Sequence, residues 1–248
     1  MGCTLWPCVD LTTLNYSRRA KRFSAWAEEQ GPSEAASGLR ARFTKHASGR
    51  PLRIVDIGCG SGRDLVAFAA AGHRPVGIEP CAELVRIARG RGAEVVHAGF
   101  EELTRGTGLL PASFADGADG IFCLASLFHM ALTEIPRILR ALRALLRPAG
   151  VLLTTIPAAN RPSSARGTDG RWCTALPLHD HERLLTSAGF ELLESDANLH
   201  IYNGVWGTCV VRRPAVDDLD GGGARAEARP HQVDEAAAAV RLARLRIC

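Results

Sequence analysis

The 248-residue chain predicts an α/β domain built on a doubly wound, mostly parallel sheet with helices on both faces. Three observations carry that prediction. From Leu52 onward short apolar runs alternate with helical stretches of about 10–15 residues, the rhythm of right-handed β-α-β crossovers. The first of those runs ends in a glycine-rich turn that opens a helix. Hydrophobic residues make up 46% and charged residues 23%, a balance that excludes general disorder and a fibrous repeat.

The elements follow in order. Residues 9–46 read as a helical leader in which Tyr16, Phe23 and Trp26 interleave with Arg18, Arg19, Lys21 and Arg22. Gly31-Pro32-Ser33 breaks it into two helices, and Gly49-Arg50-Pro51 turns the chain into the sheet. Strands are predicted at 52–56, 75–79, 94–97, 119–124 and 151–156. Helices at 64–71, 81–89 and 133–146 join them, each stopped by a glycine or proline turn. The helix at 133–146 puts Ile135, Ile138, Leu139 and Leu142 on one side and Arg137, Arg140 and Arg143 between them. A polar loop spans 157–171, a further helix 181–188, and a closing strand pair 190–194 and 204–212. Three regions result: a leader or lid (1–50), the sheet domain (51–213) and a low-complexity tail with a possible short helix (214–248).

Composition narrows the function. No apolar run approaches the ~20 residues of a membrane helix, so no membrane partner is expected. The net charge is +4, too mild to require nucleic acid. The eight cysteines (Cys3, Cys8, Cys59, Cys81, Cys123, Cys173, Cys209 and Cys248) show neither a C-x-x-C pair nor zinc-finger spacing, so reduced, buried thiols and no metal are expected. Met1-Gly2-Cys3 lacks the Ser or Thr a myristoylation signal needs at position 6, which is Trp6. A cytoplasmic monomer or homodimer is the simplest expectation.

The chemistry concentrates in Val55-Asp56-Ile57-Gly58-Cys59-Gly60-Ser61-Gly62. Glycines let a ligand approach the backbone, and the helix start offers free N–H groups. A dinucleotide fingerprint would need a glycine at position 63, which is Arg63, and a P-loop would need Lys-Ser or Lys-Thr. Asp56 would repel a pyrophosphate but suits a ligand carrying an ammonium and a sulfonium. Glu79 ends the second strand about 20 residues later, where a carboxylate can accept both hydroxyls of a ribose.

This D-x-G-x-G-x-G arrangement resembles the first motif of the class I S-adenosylmethionine-dependent methyltransferases, whose fold is a Rossmann-like seven-stranded sheet with an antiparallel final strand. The resemblance spans about residues 14–212 and is most specific at the first motif. It departs at Ala149, where the family usually has a second glycine. It implies S-adenosyl-L-methionine as cofactor, held by Asp56, Gly58, Cys59, Gly60, Gly62, Glu79 and Pro80. The loop after the third strand resembles the adenine edge, with Phe100 and Glu101 against the base. Cys123 and Leu124 would pass beneath the methionine part, and Tyr16 with Phe23 resembles an aromatic lid. The segment Cys123 to His129 is most similar to small-molecule enzymes of the tellurite-resistance and quinone-biosynthesis type.

Such enzymes move a methyl group by in-line displacement, and their main task is holding the acceptor about 3–3.5 Å from the methyl in a dry site. His129, following the fourth strand, is the candidate catalytic base. Arg171, Trp172, His179 and His181 lie where this fold builds acceptor pockets. Ala125-Ser126-Leu127-Phe128 replaces the tetrad of adenine-methylating enzymes, which argues against nucleic acid and for a small-molecule acceptor. RNA or protein methylation by the same fold, and a non-catalytic S-adenosylmethionine-binding module, stand as alternatives.

Overall fold

The computed structural model describes residues 7–30, 34–47, 51–106, 108–201 and 204–215. The tail expected at 214–248 lies almost wholly outside them. Two helices open the chain, α1 (Pro7–Gln30) and α2 (Glu34–His46). The sheet domain then alternates β1 (Arg53–Ile57), α3 (Arg63–Ala70), β2 (Arg74–Glu79), α4 (Ala82–Gly90), β3 (Val95–His97), α5 (Phe100–Arg105), β4 (Ala118–Cys123), α6 (Ile135–Leu145) and β5 (Leu146–Pro157). A hairpin of β6 (Ser163–Arg166) and β7 (Trp172–Ala175), then α7 (Leu178–Ser187), β8 (Glu191–Ile201) and β9 (Gly204–Arg212) complete it.

The seven-stranded sheet runs β3-β2-β1-β4-β5-β9-β8. The first five strands pair in parallel, and β9 is antiparallel to both neighbours, β5 and β8. Strand order reverses between β1 and β4, so their carboxyl ends splay a crevice there, the usual ligand position in an open α/β sheet.

Alternation along the buried strands feeds two cores. Val55 and Ile57 of β1 face the layer of α6 and α7, with Ile135, Ile138, Leu139 and Leu142 packed against them. Ile54, by contrast, joins Leu39 and Phe43 of α2 on the other face. There Phe43, Phe68 and Phe122 meet edge-on at centroid distances of 5.3–5.8 Å. A Cβ on Gly120 would run into the Phe43 ring. Half of the predicted leader is therefore core.

Three expectations change. The polar loop at 157–171 folds in part into β6, which pairs with β7 to make a separate two-stranded sheet. No periodic apolar pattern marks it, because its strands are four residues each, β6 with no buried position and β7 with only Thr174 and Ala175 buried. The strand expected at 190–194 continues to Ile201 through register shifts that a period-2 pattern hides. The loop at 99–105 is a helix, α5, whose Glu102 side chain accepts the Gly99 N–H. Among the thiols, Cys59, Cys81, Cys123 and Cys209 are free and buried. Cys173, half-buried on the hairpin instead of in the core, is disulfide-bonded against the expectation of reduced cysteines. Among the described residues no helix is long and apolar enough to cross a membrane.

Candidate functional site

A cavity of about 330 Å³ opens over the crevice between β1 and β4. Its floor is the turn after β1. Gly58 and Gly60 take φ of +70° and +56°, the left-handed region where a side chain is strained. A Cβ on Gly58 would collide with the Ser126 side chain, and one on Gly60 would come 3.3 Å from the Phe23 ring. Bare backbone there lets Ser126 support the turn from below and Phe23 close over it.

Glu79 ties the floor together. Its Oε2 accepts the Gly60 N–H at 2.9 Å and its Oε1 the Cys81 N–H at 2.9 Å, joining the turn after β1 to the turn after β2. The residue is 5% exposed. Burial pushes its carboxyl up to about 7, although the two N–H groups and His97 pull the other way. Asp56, 4% exposed, is raised well above the ordinary carboxylate range, first by burial and then by neighbouring Asp64. Asp64 is held by Arg40 at 2.5 Å and Arg63 at 2.6 Å. Two carboxyls thus face the cavity short of positive charge, a field that favours a cationic ligand.

The opposite wall comes from three distant segments. His129 lies in the short turn after β4 and is pushed down to about 4 by burial. Its Nδ1 lies 2.8 Å from the Trp172 carbonyl oxygen, which only accepts, so Nδ1 carries the proton. Nε2 then accepts the Tyr16 hydroxyl at 2.9 Å. Arg171 reaches the same hydroxyl at 3.5 Å with Nη1 and lies 5.7 Å above the Tyr16 ring. Tyr16 in turn packs edge-on against Phe23.

Helix α1 holds this wall in place. Thr12 Oγ1 accepts the Trp172 N–H at 3.1 Å, and Asn15 donates to the Asp169 carbonyl at 2.8 Å. Further along, Ser17 donates to Glu83 at 2.5 Å and Ser24 accepts from Arg91 at 2.9 Å, both partners belonging to α4 or its end.

Of the residues singled out from sequence, Asp56, Gly58, Cys59, Gly60, Glu79, Pro80, Phe100, Leu124, Tyr16 and His129 all line the cavity. Gly62, Glu101 and Cys123 are not among its lining residues. Gly62 caps α3, where a Cβ would press on Ala88. Glu101 turns outward to Arg105, and Cys123 is fully buried in the sheet core. His181 is also buried, 3.6 Å from the Cys209 thiol, and His179 is exposed; neither reaches the cavity. Ser126 and Trp206 line it without having been singled out for that role. Only their places in the fold bring them there, so no local sequence signal marks them.

The cavity fits an adenosyl sulfonium: acids for its positive charge, a carboxylate at a strand end for a diol, and Phe100 and Leu103 for a flat base. A family model described as a methyltransferase domain matches residues 18–195. A C-methyltransferase of Streptomyces niveus is 31% identical over 109 residues, covering 42% of this chain and 24% of that protein. A ubiquinone biosynthesis O-methyltransferase of Xanthomonas axonopodis pv. citri is 29% identical over 144 residues, covering 54% of this chain and 58% of that protein. The chain thus matches less than two thirds of the length of these curated relatives. In fold it is similar to the 1,6-didemethyltoxoflavin-N1-methyltransferase of Burkholderia thailandensis, solved with 1,6-didemethyltoxoflavin and S-adenosylhomocysteine. That likeness has a TM-score of 0.66 at 19% identity and covers 83% of this chain and 88% of that one.

Proposed function

This chain belongs to the methyltransferase-domain family, and from that premise we propose that it is an S-adenosylmethionine-dependent methyltransferase acting on a small-molecule acceptor. The observation that carries the reading is the pair of buried carboxyls, Asp56 and Glu79, facing one cavity over a glycine turn. When bound, S-adenosylmethionine supplies an electrophilic methyl carbon on a positively charged sulfur. Asp56 offsets positive charge on the ligand, and Glu79 retains lone pairs for two ribose hydroxyls beside its two backbone donors. Phe100 faces the base, while Phe23, Phe128 and Trp206 keep the cavity dry.

His129 stays neutral at neutral pH and donates nothing to the cavity, because Nδ1 serves the Trp172 carbonyl and Nε2 serves Tyr16. It acts as a positioning residue that aims the Tyr16 hydroxyl. The relatives are named for transfer to carbon and oxygen and the structural neighbour for transfer to nitrogen; all three names fit small molecules, and they differ in the acceptor atom.

Calorimetry with S-adenosylhomocysteine tests the reading. Binding is expected, and Glu79→Ala should weaken it by roughly 2–4 kcal/mol through loss of a charged acceptor. An unchanged dissociation constant in that variant removes Glu79 from the site, and absence of binding in the parent protein ends the proposal.

A further inference from the structure

The cavity is electrically two-ended. Its floor is lined by three carboxyl residues, Asp56, Asp64 and Glu79, against one cation, Arg63. At its far wall the only charged side chain among the described lining residues is Arg171. Arg171 is not left to solvent: its side chain is 16% exposed, and its Nε binds Asp169 at 2.6 Å. Arg171 lines the cavity and Asp169 does not.

Further cations lie near this wall. Arg19 on α1 acts on Asp169 and, with Arg171, helps hold its carboxyl below the ordinary value. Arg166 binds the Gly170 carbonyl at 2.7 Å and lies 5.4 Å above the Trp172 ring. Phe128, Met130 and Trp206 give the cavity apolar surfaces, and Thr12 and Thr13 of α1 line it as well. The charged direction at this end is toward Arg171, beside the Tyr16 hydroxyl held by His129.

We propose that Arg171, positioned by the Tyr16 hydroxyl oxygen that accepts from it, selects a methyl acceptor that carries a negative charge on a planar group, a carboxylate or a phenolate or enolate oxygen. This inference rests on the methyltransferase reading and specifies the substrate of that same site. A guanidinium matches such an oxygen pair in charge and geometry. An ammonium-bearing acceptor would meet a cation where it needs an acid. Arg63, the other lining cation, lies on the floor, where its guanidinium binds Asp64 at 2.6 Å.

The test uses the full chain saturated with S-adenosylhomocysteine, with benzoate and its neutral isostere benzamide as probes. Binding is followed by calorimetry and by the fluorescence of Trp26 and Trp206, which line the cavity. Benzoate should bind at least about tenfold tighter than benzamide, the scale of one charge-assisted pair. Arg171→Gln should abolish that preference, Arg171→Lys should keep part of it, and Tyr16→Phe should weaken benzoate several-fold. S-adenosylhomocysteine affinity should stay within about twofold in both Arg171 variants, which also shows that they fold.

Equal binding of the two probes, binding of neither, or a preference that survives Arg171→Gln would overturn the proposal. So would a large loss of S-adenosylhomocysteine affinity in Arg171→Gln, which would assign the guanidinium to the cofactor's carboxylate. Failure of the parent protein to bind S-adenosylhomocysteine is a separate result and strikes the methyltransferase reading itself.

Discussion

The floor of the cavity and the wall facing it are assembled in opposite ways. One run, Asp56 to Ser61, makes most of the floor, and Glu79 at the end of the neighbouring strand completes it. The wall gathers Tyr16, His129 and Arg171, with Tyr16 lying 113 and 155 residues away from its two partners. The floor is held by backbone: positive φ at its glycines and N–H groups committed to Glu79. The wall is held by side chains that meet only when α1 and the hairpin dock. Damage to the floor should therefore register as lost folding and lost cofactor together. Damage to the wall should register as misplacement in a protein that still folds.

Gly58→Ala should produce the largest effect. An L-residue at φ +70° costs about 1–2 kcal/mol, and overlap with Ser126 costs about 1–3 kcal/mol more. Urea unfolding should show about 4 kcal/mol of lost stability, and an unshifted midpoint would break the contrast at once.

The next effect appears only in acid. Burial favours the neutral His129 ring, so its contribution to stability is present above pH 6.5 and lost as the pH falls toward about 4. His129→Gln retains a hydrogen-bonding group without a titration. The stability of the parent relative to this variant should fall by about 3 kcal/mol across that window and stay level above it. A level difference throughout would mean that the ring is not held neutral.

Tyr16→Phe should cost less, about 1–2 kcal/mol, because it leaves His129 Nε2 buried without its donor. A loss as large as that of Gly58→Ala would show the wall to be as structural as the floor. Smallest is a gain outside both regions. Ala149 sits at φ +62° in the turn of β5, and Ala149→Gly should raise stability by about 1 kcal/mol. Thermal denaturation would register it as a higher midpoint.

The same contrast explains how much was legible in advance. The floor is short-range grammar: strand, acid, three spaced glycines, helix, then a second strand ending in an acid. Those residues announce the crevice and the cofactor class. Tyr16 was legible as a lid aromatic in a basic helix and His129 as a candidate base after a strand. Nothing in either neighbourhood reveals that each is the other's hydrogen-bond partner, because docking of α1 creates that pairing. The hairpin stayed hidden since its strands are four residues each, too short for an apolar pattern to read. Gly62, expected at the ligand from its place in the motif, lies outside the cavity lining and lets α3 begin against Ala88.

Helix α1 is fastened at one end to the hairpin, through Thr12 and Asn15, and further along to α4, through Ser17 and Ser24. A single rod thus roofs both compartments. Displacing it would disturb both ends of the cavity in one movement, so a change in α1 should register at the floor and at the far wall together.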